Sequence, residues 1–152
     1  MAGDPFCARL GIELRSLGPG RATTALDLDE GLTNFHGTPH GGAVYSLADA
    51  AFAAASNSHG EPAVALETNV SYLAAADVDG TLVARARETH RTRRTAEYEV
   101  VVGEESAGAG DGEEGGRLEG DNERRPESGN GDGEGRGEER RVATFRGRVY
   151  RP

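Results

Sequence analysis

The sequence has no tryptophan, no lysine, one methionine and one cysteine, and aromatic residues make up 5% of its 152 positions. A lone cysteine, Cys7, excludes an intramolecular disulfide. It reads as a buried or half-buried thiol rather than a nucleophile. No apolar run approaches the roughly 18 residues a membrane span needs. The first residues lack the basic stretch and apolar run of a secretory signal. The expectation is therefore a cytoplasmic protein with no membrane partner. Hydrophobic residues are also sparse, at 36%, so part of the chain is expected not to pack.

What the sequence does have is acid. All 17 basic residues are arginine, against 26 Asp and Glu, for a net charge of -9. An excess of that sign argues against a nucleic-acid partner, which needs a basic surface. The charge is concentrated. Residues 103–140 hold 13 acidic and 5 basic residues, so they carry -8 of the total, and the rest of the chain is near neutral. Residues 103–141 contain one leucine and no aromatic residue. Such a stretch cannot offset its ordering entropy by burial, and it is expected to be a disordered insert. The remainder suits one domain spanning 1–152 around that insert.

Periodicity gives the elements. Residues 10–17 and 20–28 read as short strands joined at Gly18-Pro19-Gly20, with Ala22, Thr24, Leu26 and Leu28 alternating against polar neighbours. Residues 29–40 read as a structured loop. In residues 41–60, Val44, Leu47, Ala48, Ala51 and Ala55 recur at helical spacing in an Ala-rich segment, and Gly60 can cap its end. Four strand candidates follow, at 63–73, 81–89, 95–102 and 142–150. Strands without interleaved helices imply an antiparallel sheet, so the fold class is α+β. One helix then faces one sheet.

Chemistry concentrates between Asn34 and Asp49. The loop enters the helix at Gly41-Gly42, where unpaired backbone N–H groups and the positive end of the helix dipole meet. Glycine allows close approach to that backbone, and a donor there can stabilise the oxyanion formed when a carbonyl is attacked. Two helical turns on, Asp49 stands in an apolar setting, Leu47-Ala48-Asp49-Ala50-Ala51-Phe52. A carboxylate is costly to bury there without a role or a partner. The pattern points to acyl transfer or hydrolysis. Each feature alone also has an ordinary reading, as a loop end and a solvated helix face.

The segment N-x-x-G-x-x-H-G-G-A-x-x-x-L-A-D-x-A, Asn34 to Ala51, resembles the signature of hotdog-fold acyl-CoA thioesterases of the phenylacetic-acid-degradation (PaaI) type. Ala55–Gly60, Val70-Ser71-Tyr72-Leu73 and Val142–Gly147 resemble that family's helix end, next strand and last strand. The resemblance implies a long central helix wrapped by a curved antiparallel sheet. It implies a homodimer or homotetramer, with the active site at the subunit interface and acyl-CoA as the substrate. It assigns Asp49 as the catalytic carboxylate of one subunit and the Gly41 N–H as the oxyanion donor of the other. Asn34 places the water or the thioester, and His40 contacts the thioester or holds the loop. Whether Asp49 acts as general base or nucleophile is left open. Gly42, Tyr45, Phe52 and Tyr72 are the substrate-pocket candidates. Arg93 and Arg94 match a basic turn near the nucleotide, although Thr92 replaces the family's glycine. Ala74-Ala75-Ala76 likewise stands where the family often has Arg/Lys-Pro. His59 and His90 read as surface residues. No metal and no cofactor are expected, since His36 and His40 lack a supporting ligand set. A hotdog dehydratase or hydratase, and a non-catalytic acyl-CoA-binding module, are the rival functions on the same fold.

Overall fold

The Ala-rich segment forms the long helix. In the computed structural model, which describes residues 3–105 and 140–152, helix α2 spans Gly41–Asn57. A shorter helix, α1 (Pro5–Leu10), precedes it. Six strands complete the unit: β1 (Glu13–Gly18), β2 (Arg21–Asp27), β3 (Val64–Tyr72), β4 (Thr81–Arg91), β5 (Thr95–Glu104) and β6 (Arg141–Tyr150). A 3-10 turn at Glu30–Leu32 opens the loop before α2. All strand pairs are antiparallel, in the order β1-β2-β4-β5-β6-β3.

The sheet curves around α2. Val44, Leu47, Ala48, Ala51, Phe52 and Ala55 turn inward and are buried against Leu26, Leu82, Tyr98, Val100, Val102, Phe145 and Val149. The alanines let the helix lie close to the sheet, and the aromatic rings fill the far end. Phe52 packs on Tyr98 and on Phe145, each with ring centroids 5.6 Å apart. Each fully buried large apolar side chain contributes roughly 1.5–3 kcal/mol.

Three sequence expectations change. The chain before residue 13 is helical rather than the start of a strand. Asp4 accepts hydrogen bonds from the Phe6 and Cys7 N–H groups (2.9 and 3.1 Å), Pro5 begins the helix, and Gly11 ends it at φ 78°. This is an N-cap, N1-proline and left-handed C-cap around six helical residues, too short for periodicity to register. His59 is not a surface residue but half-buried, bonded to Glu88 at 3.0 Å. The insert expected at 103–141 lies mostly outside the described residues, yet its margins are strand: Gly103 and Glu104 belong to β5 and Arg141 to β6.

Strand β3, like β1 at the opposite edge, is mostly exposed. It lies at one edge of the sheet, and only Thr68 and Val70 along it are even half-buried. Val64 and Leu66 are 62% and 55% exposed. A long edge strand with unpaired backbone and apolar side chains is a surface prone to pairing with another strand.

Candidate functional site

The loop from Thr33 to Pro39 is built by Asn34. Its side-chain Oδ1 accepts from the His36 N–H (2.8 Å), and its amide and the Thr38 hydroxyl lie 3.0 Å apart. The Asn34 N–H reaches the Thr38 carbonyl at 2.8 Å, with Gly37 turning the chain at φ 76°. The loop ends at His40, whose N–H donates to the Leu32 carbonyl (2.8 Å).

His40 is the N-cap of α2. Its Nδ1 accepts from the Gly42 N–H at 2.8 Å, so the ring carries its proton on Nε2 and points that nitrogen outward. This bond ties the end of the loop to the first turn of the helix. The Gly41 N–H, first in the helix, has no acceptor among the described residues. The Gly41 carbonyl does have a partner: the Tyr72 hydroxyl donates to it at 2.9 Å. The Tyr72 ring lies so near that a Cβ at Gly41 would stand 3.2 Å from its Cζ.

Beside Gly41 opens a cavity of about 370 Å³ lined by Pro39, Val44, Tyr72, Leu73, the Ala74–Ala76 run and Val142. On the other side of His40 lies a second, of about 340 Å³, between Gly42, Ser46, Leu32 and the Phe6 and Leu10 side chains of α1. The walls of both are mainly apolar. A larger depression, of about 590 Å³, crosses the outer face of β3, β6 and β5 among Glu67, Glu97, Glu99, Arg146 and Arg148. None of the residues from Asn34 to Asp49 borders it, so it is set aside as the reaction site.

Asp49 lies on the outward stripe of α2 with Gly42, Ser46 and Ala53. It is half-buried and has no hydrogen bond or ion pair among the described residues. Burial pushes its carboxyl above the ordinary range, with no neighbouring charge or donor to offset the effect. Cys7 is close enough for the Asp49 charge to act on it. Burial first, then Asp4, and to a lesser degree Asp49 raise the thiol, so Cys7 stays protonated.

The other candidates divide. Tyr45 bonds Thr68 through its hydroxyl at 2.6 Å and packs on Phe145, which makes it part of the helix–β3 seam. Phe52 is corrected from pocket residue to core residue: it is 1% exposed and its ring is closed in by Tyr98, Phe145 and Gly147. Arg93 and Arg94 are exposed on the β4–β5 turn, which Thr92 organises by accepting from the Thr95 N–H at 2.9 Å. That turn adjoins the C-terminal end of α2. The 17-residue helix is about 25 Å long, so within one chain these arginines do not meet Gly41.

A single long helix wrapped by a curved antiparallel sheet, with a glycine-marked helix start at its mouth, is the hotdog architecture. Residues 36–108 match the thioesterase superfamily. The acyl-coenzyme A thioesterase PaaI of Escherichia coli K12 is 36% identical over 97 residues, which cover 63% of this chain and 69% of that one. A variant of the phenylacetic acid degradation protein PaaI from Thermus thermophilus is 34% identical. It superposes with a TM-score of 0.74, covering 98% of this chain and all of that one. A thioesterase from Streptococcus pneumoniae, solved with coenzyme A, is 18% identical with a TM-score of 0.68 over 93% and 85% of the two chains, and shares the fold. The chain belongs to the thioesterase superfamily and within it is similar to the PaaI type. Among the described residues no helix is long and apolar enough to cross a membrane.

Proposed function

We propose that this protein hydrolyses an acyl-CoA thioester to a free acid and coenzyme A, at a site shared between two copies of the chain. The observation that carries the reading is the state of α2. It offers one unpaired N–H, at Gly41, and one unpartnered, desolvated carboxylate, at Asp49. Eight residues of helix separate them by about 12 Å. One thioester carbonyl cannot touch both in the same subunit. Two antiparallel copies joined at the β3 edge would bring the Gly41 of one toward the Asp49 of the other. The exposed Val64 and Leu66, and an outward stripe on α2 made of small residues, support such a pairing.

In this arrangement the Gly41 N–H receives the carbonyl oxygen, and the helix dipole adds to the field there. Asp49 of the other subunit takes the proton of the attacking water, or attacks the carbonyl itself. The tetrahedral centre then expels the coenzyme A thiolate, a good leaving group. A carboxyl raised by burial is a stronger base once ionised, which suits proton abstraction near neutrality. Asn34 keeps the Gly41 loop in shape. The apolar walls beside Gly41 suit the acyl group. The relatives' names supply the substrate class, and the coenzyme A-bound neighbour supports a place for the carrier on this fold.

Free-thiol release from a panel of acyl-CoA esters tests the reading. Turnover that Asp49→Asn abolishes is expected. Binding of a non-hydrolysable acyl-CoA, with no thiol released from any ester of the panel, would favour the binding module, and interconversion of 3-hydroxyacyl-CoA and enoyl-CoA with the thioester intact would favour the dehydratase or hydratase. Light scattering tests the shared site, since a fully active monomer is incompatible with it.

A further inference from the structure

We propose that Tyr72 is a positioning residue for the Gly41 oxyanion donor, holding the first turn of α2 so that the Gly41 N–H keeps its aim. The inference rests on the function proposed above and adds to it a residue that never needs to touch the reacting atoms. Three observations carry it. The Tyr72 hydroxyl donates to the Gly41 carbonyl at 2.9 Å. The ring covers the Gly41 Cα, leaving no room for a Cβ at ordinary contact distance, which would fall 3.2 Å from Cζ and 3.3 Å from the hydroxyl oxygen. Tyr72 is also the last residue of β3, fixed opposite Ala143 by the β3–β6 pairing, while the Leu73 N–H donates to the Val142 carbonyl at 2.8 Å.

A helix start held only by its cap can fray, because the first-turn N–H groups have no intrahelical acceptors. Here His40 clamps one side of the turn, through the Gly42 N–H, and Tyr72 clamps the other, through the Gly41 carbonyl. Both clamps grip the one peptide group that joins Gly41 to Gly42, and the donor N–H belongs to the peptide immediately before it, attached to the same Gly41 Cα. A strand paired into the sheet thus sets the donor's position, and an oxyanion donor is effective only if it is already in place when charge develops. The same tyrosine forms a wall of the apolar cavity beside Gly41, so one residue both borders the acyl space and steadies the donor at its mouth.

The test is Tyr72→Phe, which keeps the ring and removes the clamp. For an acyl-CoA that the wild type hydrolyses, kcat should fall about 10- to 100-fold, as expected for a displaced rather than deleted group. KM should change less than about twofold, because uniform substrate binding is untouched. Amide hydrogen exchange at Gly42, whose N–H is bonded to His40, should quicken while the core amides stay protected. Gly41→Ala should also lower kcat by pushing the ring away, and the double variant should fall no further than the worse single one. A native kcat in Tyr72→Phe, a change confined to KM, or additive losses in the double variant would each overturn the inference. Asp49→Asn run alongside separates the two failures. If the wild type turns over and Asp49→Asn does not, a native Tyr72→Phe sinks the clamp alone. If the wild type releases no thiol, the proposed function fails and takes the clamp with it.

Discussion

The ring of Phe52 lies directly beneath Gly147: a Cβ at 147 would stand 2.6, 2.7 and 2.9 Å from three of its carbons. No side chain fits there unless the ring moves, and Tyr98 and Phe145 flank the ring on either side. Gly147→Ala should therefore destabilise the protein by about 1–3 kcal/mol, the range for overpacking a filled core. Urea unfolding at one fixed protein concentration would measure it. Adding Phe52→Leu should recover part of the loss, since the two changes share one space.

Glu88 joins the end of α2 to the sheet. Its Oε2 meets the His59 Nε2 at 3.0 Å and accepts from the Tyr98 hydroxyl at 2.6 Å. Burial alone would raise this carboxyl, but the hydrogen bonds from Tyr98 and His59 outweigh it and hold it below the usual glutamate value of 4.5. The sign of the pH dependence follows. A depressed carboxylate adds stability above its unfolded value and loses it as pH falls through the lower folded one. Glu88→Ala also strands the buried Tyr98 hydroxyl, so it should cost about 1–3 kcal/mol at neutral pH. Denaturation curves at neutral pH and near pH 3 should show the gap between wild type and variant narrowing in acid.

How much of this is legible in the sequence depends on range. Alternation and turn residues locate five of the six strands within two residues and β1 within three. The Ala-rich periodicity places α2 from Gly41, because each of those signals is local. The Asn34–Asp49 motif marks the helix start and the carboxylate. Phe52 reads as an acyl-pocket candidate alongside Tyr45 and Tyr72, although Val44, Ala48, Phe52 and Ala55 form one inward stripe at helical spacing, and that stripe is the stronger signal. The Tyr72–Gly41 and His59–Glu88 contacts join residues 31 and 29 positions apart. The first depends on the order β5-β6-β3, which brings the end of β3 to the mouth of α2, and the second on β4 passing the C-terminal end of α2; no local pattern encodes either. The β1 strand begins three residues later than alternation suggests, because Asp4-Pro5 and Gly11 bracket a helix too brief for periodicity to reveal.

The ends of β5 and β6 already meet. Gly103 pairs with Arg141, and the Glu104 N–H donates to the Arg140 carbonyl at 3.1 Å. Replacing residues 106–139 by an Asn-Gly turn should therefore close the hairpin without strain. Glu104 and Glu105 should stay, because they pair with Arg140 (3.1 Å) and Arg15 (2.6 Å). Loop-closure entropy changes by only about 0.6 kcal/mol per doubling of length. Thirty-four residues reduced to two is about four doublings, so the shortened protein should be more stable by up to about 2.5 kcal/mol and melt no lower than the wild type, with kcat within about twofold. A differential scan and a thiol-release assay would check both, and insoluble protein would show that the acidic segment supports the fold.

Asp49→Asn separates chemistry from shape, because the amide is nearly isosteric with the carboxylate. Thiol release should fall by about two to four orders of magnitude, the contribution of a positioned base, while affinity for a non-hydrolysable acyl-CoA holds. Stability should move the other way. Burial raises the Asp49 carboxyl, and no partner in the chain compensates its charge. A group raised on folding stabilises the native state below its unfolded value and loses that contribution as pH climbs through the folded one. At neutral pH the ionised Asp49 is therefore a cost, and Asp49→Asn should unfold at a higher temperature than wild type, with the difference shrinking in acid. In the same way the kcat profile of the wild type should rise with pH through a value above the ordinary aspartate range. A single turnover in heavy-oxygen water would then divide the two chemistries. Label in the released acid alone marks a base acting through water, and label retained in Asp49 marks a covalent intermediate. Native turnover by Asp49→Asn, or lower stability at neutral pH, would make the carboxylate a structural residue.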